Sequence, residues 1–75
     1  MEIKFSKADL MRYFNYKSRT SLYELLRISL LEKKAWYSME ELEKLRISKS
    51  LLEQSKSKNF VLQYWTHYHQ LKTHE

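Results

Sequence analysis

The stretch Lys17-Ser18-Arg19-Thr20, followed by Tyr23 and Arg27, is a run of side chains that all carry hydrogen-bond donors. On a helix, Thr20, Tyr23 and Arg27 fall on one side, because residues three and four apart are neighbours there. Each of these residues suits a polyanion. An arginine offers two parallel N–H groups to the O6 and N7 of guanine. The hydroxyls of Ser18, Thr20 and Tyr23 suit phosphate oxygens, and a helix N-terminus adds aligned backbone N–H groups. Lys33 and Lys34 supply a second basic pair downstream. The chemistry on offer is recognition rather than bond-making.

Other chemistries are poorly supplied. The chain has no cysteine, so thiol nucleophiles, disulfides and thiolate metal sites are excluded. No serine stands in a recognisable pattern with a histidine and an acid. The carboxylates gather at helix starts, where capping explains them. His67, His69 and His74 are the one metal-like group. On a helix, positions i and i+2 diverge, so His67 and His69 do not share an ion; on a strand they would, but with no third ligand placed. Glycine is absent, which removes the phosphate-binding loop and the dinucleotide fingerprint. Neither an enzyme nor a cofactor or metal protein is expected, and no small-molecule ligand is evident.

These side chains need elements to hold them. The chain has 75 residues, enough for one domain with a small core. Hydrophobic residues make up 43% and charged residues 31%, the balance of a globular chain rather than a disordered one. With neither glycine nor proline, tight glycine turns are scarce and a mainly helical chain is favoured. The formal net charge is +5, which favours an anionic partner, most often nucleic acid, over a merely soluble basic surface. The excess is concentrated in residues 1–34, at +4 net, against −1 over 35–54 and +2 over 55–75. No apolar run is long enough to span a membrane. The start MEIKFSK lacks a signal-peptide core, so a cytoplasmic location is expected.

Residues 1–5 alternate apolar and polar, as a short strand or a frayed arm. Ser6 and Asp9 form a capping box, and Leu10, Met11 and Phe14 follow at helical spacing, predicting a helix over 7–14. Asn15 tolerates the left-handed conformation that ends a helix where glycine is missing. Ser18 then caps an amphipathic helix expected to reach about residue 32. Its inner side is Leu22, Leu25, Leu26 and Ser29, with Ile28 and Leu30 flanking. Residues 33–38 (KKAWYS) form a basic-aromatic connector with room for a short wing, and Trp36 is expected in the core more than on a ligand. Ser38 and Glu41 open a third helix to about Gln54, with Leu42, Leu45, Ile47, Leu51 and Leu52 as its apolar set. After the polar break 55–59, the tail 60–73 fits a helix capped by Asn59, with Val61, Tyr64, Trp65, Tyr68 and Leu71 on one face; part of it also fits strand alternation.

A short helix, a brief break and a second amphipathic helix make a helix-turn-helix. FSKADLMRYFNYKSRTSLYELLR resembles the helix-turn-helix of excisionase-like and MerR-like winged-helix proteins. AWYSMEELEKLRISKSLLEQ resembles the segment that follows it in MerR-type chains, and together the likeness covers residues 5–55. The resemblance implies a small winged helix-turn-helix of three to four helices with at most a short wing hairpin. It divides the chain into a DNA-binding domain over 1–58 and an aromatic C-terminal helix over 59–75.

The resemblance also implies sequence-specific binding of double-stranded DNA, by a transcription regulator or a recombination directionality factor of bacterial, phage or plasmid setting. It lays recognition on Lys17, Ser18, Arg19, Thr20, Tyr23 and Arg27. It lays wing contacts on Lys33 and Lys34, with Trp36 and Tyr37 supporting the wing or touching sugar-phosphate. Two departures stand out: the family's turn and wing glycines are missing, and the tail after Asn59 is neither a long coiled coil nor an effector domain.

Tyr64, Trp65 and Tyr68 are either core or the surface of a homodimer, since aromatics are enriched at interface centres. Two further readings follow from them. One is a helical protein–protein adaptor or inhibitor of phage or plasmid type. The other is single-strand or RNA binding by aromatic stacking.

Overall fold

The computed structural model of the chain describes residues 3–54 and 56–73, with side chains described as far as Tyr68. It is mainly helical, with one short two-stranded ladder, an architecture consistent with a small winged helix. The order is β1 (Lys4–Phe5), α1 (Lys7–Phe14), α2 (Arg19–Ile28), β2 (Tyr37–Ser38), α3 (Met39–Glu53) and α4 (Lys58–Thr73).

Side-chain caps set the helix starts. The Ser6 hydroxyl accepts from the Asp9 N–H at 3.1 Å, and the Ser6 N–H donates to the Asp9 carboxylate at 3.0 Å. Ser38 and Glu41 repeat this box at the head of α3, at 3.2 and 2.9 Å. Each box satisfies two backbone donors that a helix start otherwise leaves unpaired. Ser18 caps α2 by accepting from the Ser21 N–H. At α4 the capping hydroxyl is Ser57, which accepts from the Phe60 N–H at 3.0 Å, so the expected Asn59 cap is replaced by a residue two positions earlier.

Two left-handed residues end the first two helices. Asn15 has φ 58°. The Tyr16 N–H reaches back to the Met11 carbonyl at 2.8 Å and the Asn15 N–H to Arg12 at 3.2 Å. Leu30 has φ 59°, and the same pair of bonds recurs from Leu31 to Leu26 and from Leu30 to Arg27, at 2.9 and 3.1 Å. This is the Schellman pattern, which closes a helix and pairs its last carbonyls. Asn15 does what the sequence suggested. Leu30 does the same work without the side chain for it, and α2 therefore stops at Ile28, short of residue 32.

The ladder pairs β1 with β2 antiparallel, with Lys4 opposite Ser38 and Phe5 opposite Tyr37. Because α1 and α2 lie between the strands in sequence, the N-terminal arm pairs with the connector. Residues 31–36 form an irregular loop, so Lys33 and Lys34 stand before the ladder and not at the tip of a tight hairpin.

One core serves every helix. It contains Leu10 and Phe14 from α1, Leu22, Leu25, Leu26 and Ile28 from α2, Leu42 and Leu45 from α3, Val61 and Trp65 from α4, and Tyr37. The core needs an aromatic from the connector, but Tyr37 supplies it at 1% exposure while Trp36 stands 56% exposed. Strand alternation is the reason: Tyr37 faces inward beside Phe5, and its neighbour must point away. On α3, Ile47 faces outward and Ser48 inward, which reverses the apolar assignment of Ile47. The burial of Ser48 is made tolerable by a polar network shared with Ser29 and Trp65. Among the described residues, no helix is long and apolar enough to cross a membrane.

Candidate nucleic-acid interface

The helix α2 is divided lengthwise. Leu22, Leu25, Leu26 and Ile28 are buried, whereas Arg19, Thr20, Ser21 and Arg27 are exposed. Tyr23 and Glu24 are half-buried on the flanks of the exposed face. The packing stripe rests on α1, α3 and α4, so the outward face is carried by a rigid support. Lys17 and Ser18 are exposed in the turn that leads into it. With no acid in the first turn of α2, nothing on the helix opposes the positive end of its dipole.

The eight sequence-predicted residues have different electrostatic states. Lys17, Arg19 and Lys33 have no carboxylate partner among the described residues. Arg27 donates to the Glu24 carboxylate one turn back, through Nε at 2.7 Å and through a terminal nitrogen. That bond holds the Glu24 carboxyl below its usual range, with Arg27 and Lys58 adding their charge. Lys34 is paired with Glu41 of α3. The hydrogen bond to Glu41 holds its ammonium above the usual lysine range. The Lys34 backbone N–H is also engaged, donating to the Tyr37 hydroxyl at 3.0 Å. Lys34 therefore ties the connector to α3, and its expected role as a wing contact meets an already committed side chain.

Tyr23 joins residues that the sequence listed apart. The Lys33 ammonium lies 4.4 Å from its ring centroid. Lys7, at the start of α1, lies 5.7 Å from the same centroid. Sequence reading missed Lys7, because its only local signal is its place after a helix cap. The long-range approach of α1 to Tyr23 brings it into the group.

The aromatic tail separates into core and surface. Trp65 is 4% exposed, and its indole N–H donates to Ser48 at 2.7 Å. Tyr64 and Tyr68 meet it edge-on, at 5.0 and 5.5 Å between centroids, and remain 41% and 40% exposed. Trp65 is thus withdrawn both from the expected homodimer surface and from a single-strand stacking platform, because its ring and its N–H are used inside the molecule. His74, and the side chains of His69 and Leu71, lie outside what is described. Among the described residues, no three histidine or carboxylate groups gather where they could hold a metal ion.

Compared with protein-family models, with curated proteins and with solved structures, the chain finds no match.

Proposed function

We propose that this chain binds double-stranded DNA through the outward face of α2, as a small transcription regulator or recombination directionality factor of the type that residues 5–55 resemble. The observation that carries this reading is the lengthwise division of α2. One side is wholly given to packing, and the other offers Arg19, Thr20 and Arg27 to solvent with Lys17 and Ser18 at its head. The major groove admits one helix, and its N-terminal turns reach the base edges. Arg19 is the base reader of choice, since its guanidinium is exposed and unpaired among the described residues. Arg27 must first leave Glu24, while Ser18, Thr20 and the free N–H groups at the head of α2 suit phosphates.

The test is a random-duplex selection at physiological salt followed by a titration on the selected site. Nonspecific duplex affinity falls steeply between about 50 and 200 mM salt. Arg19→Ala and Arg27→Ala each weaken specific binding about tenfold or more where they contact bases. Absence of duplex binding at low salt, or unchanged affinity in both variants, overturns the reading.

A second reading, a protein-contact module, is favoured by one observation. Phe60, Gln63, Tyr64, His67 and Tyr68 line one shallow exposed dip on α4 that contains no Lys, Arg, Asp or Glu. On a chain of +5 net charge, such a stripe suits a protein surface better than a nucleic acid. Concentration-dependent sedimentation that disappears in Tyr64→Ser supports that reading, and a single monomeric species at high concentration removes self-association from it.

A further inference from the structure

Lys7 and Lys33 both approach the ring of Tyr23. Three separate elements deliver them: the first turn of α1, the middle of α2 and the loop after α2. Both ammonium groups lie within cation–π range of one ring, at 5.7 and 4.4 Å from its centroid. Neither has a carboxylate partner among the described residues. By contrast, Arg12, Arg27, Lys34 and Arg46 each have one. The Tyr23 hydroxyl likewise has no hydrogen-bond partner among the described residues.

Two like charges held beside one ring repel each other, and the ring's electron-rich face offsets this only in part. An anion seated among them removes the repulsion and supplies the acceptors that three donor groups lack. A tetrahedral phosphate fits this chemistry: its oxygens accept from two ammonium groups and a phenol at once. A carboxylate's acceptor sites lie in one plane, whereas a phosphate presents its oxygens in three dimensions to donors that come from three separate elements.

We propose that Lys7, Tyr23 and Lys33 form a cradle for a single phosphate group, and that its natural occupant is a backbone phosphodiester at the edge of the groove entered by α2. The second half of this statement rests on the duplex reading above. The cradle lies on the flank of the exposed face of α2, beside Thr20 and Arg27 and on the side away from Glu24. A contact there fixes the register of the helix and carries no sequence information. Lys7 takes the part of a wing residue although it belongs to the first helix.

The experiment has two arms, applied to the full chain, to the double variant Lys7→Gln/Lys33→Gln, to Tyr23→Phe and to Lys56→Gln as a charge control. In the first arm, inorganic pyrophosphate is titrated while backbone amide shifts are followed. The cradle requires saturable shifts centred on Lys7, Tyr23 and Lys33 that vanish in the double variant, weaken in Tyr23→Phe and persist in Lys56→Gln. No localised shifts, or shifts unchanged in the double variant, overturn it.

In the second arm, random-sequence duplex is titrated at several salt concentrations. Loss of one phosphate contact lowers the slope of log K against log salt by about 0.9. The double variant is expected to lose about that much in total, because both lysines serve one phosphate. An unchanged slope, or a loss of about 1.8 from two separate contacts, overturns the shared phosphodiester. If the wild type does not bind duplex at all, the function proposed above and the phosphodiester occupant fall together, while the first arm still judges the cradle.

Discussion

The indole N–H of Trp65 donates to the hydroxyl of Ser48 at 2.7 Å, inside the core. Ser48 also meets the Ser29 hydroxyl at 2.5 Å and the Lys44 carbonyl at 3.1 Å. A hydroxyl has one proton and two lone pairs. With that proton given to the Lys44 carbonyl, Ser48 accepts from both Trp65 and Ser29, and every group is satisfied. The end of α2, the middle of α3 and the middle of α4 are thus joined at one oxygen. Lys44 closes the arrangement from outside, its ammonium 4.9 Å from the Trp65 ring centroid.

Removing the shared acceptor strands two buried donors. Ser48→Ala is expected to cost about 2–6 kcal/mol, since each of the two unsatisfied donors costs about 1–3 kcal/mol. Ser29→Ala removes a donor and leaves Ser48 still bonded to Trp65 and Lys44, so it costs about 1 kcal/mol. Urea unfolding of the two variants measures the difference. Equal costs would show that Ser48 is not the hub.

Leu30 occupies the left-handed region at φ 59° while 43% exposed. For a non-glycine residue that conformation costs about 1–2 kcal/mol. Leu30→Gly should therefore stabilise the chain by a few tenths to about 1 kcal/mol, the gain being reduced by the greater freedom of glycine in the unfolded chain. Asn15→Ala, at the matching end of α1, should destabilise it. Thermal melting of both variants gives the signs, and a lower melting temperature for Leu30→Gly contradicts the strain argument.

Trp36 and Tyr37 should respond in opposite ways. Trp36→Ala leaves stability close to wild type. Tyr37→Phe loses a buried hydroxyl that donates to the Glu32 carbonyl at 2.8 Å and accepts from the Lys34 N–H at 3.0 Å. Its expected cost is about 1–2 kcal/mol. Burial raises the Tyr37 hydroxyl above the usual tyrosine range, opposed by the Lys34 N–H and ammonium. Absorbance titration should accordingly find a late-ionising component that comes from Tyr37 and from Tyr16, whose hydroxyl is also raised by burial and by the Glu53 charge, and Tyr37→Phe should remove part of it.

The Lys34–Glu41 pair makes stability depend on pH at both ends. Burial works against the ionised Glu41 carboxyl, but hydrogen bonds from Lys34 and from the Ser38 N–H outweigh it and hold it below its usual range. A lowered carboxyl stabilises the fold above its unfolded value, and that contribution disappears as pH falls through the folded value. The raised Lys34 ammonium stabilises the fold below its unfolded value, and that contribution disappears as pH rises through the folded one. The difference in melting temperature between wild type and Glu41→Gln should be largest between about pH 5 and 10 and shrink outside that window. A difference that does not change from about pH 3 to 7 would rule the pair out as its source.

Glu24 is the acid that the DNA-binding reading must accommodate. It faces outward on α2 and holds Arg27. Glu24→Gln removes one negative charge from the proposed contact face and frees the guanidinium, so nonspecific duplex affinity should rise several-fold at low salt, with less change at high salt. Filter binding across a salt series checks this. Unchanged affinity at low salt would place Glu24 and Arg27 outside the contact.

By itself the sequence determined the first three helices and their starts. Ser6 with Asp9 and Ser38 with Glu41 are local signals, because a cap is made by residues three apart. The stripe of Leu22, Leu25 and Leu26 was equally legible, since helical periodicity is local too, and it separated the packing side of α2 from the side bearing Arg19, Thr20 and Arg27. The tertiary structure alone decided what depends on contacts distant in sequence. The pairing of the N-terminal arm with the connector turned Tyr37 inward and Trp36 outward. The approach of α4 to α3 buried Ser48 and Trp65 together, which neither residue's type foretells. The same kind of approach set Lys7 beside Tyr23 and tied Lys34 to Glu41, dividing a uniform run of basic residues into committed and available charges. Caps and stripes follow from the chain's own period, whereas the partners of a buried hydroxyl or a surface ammonium are known only once the elements have packed.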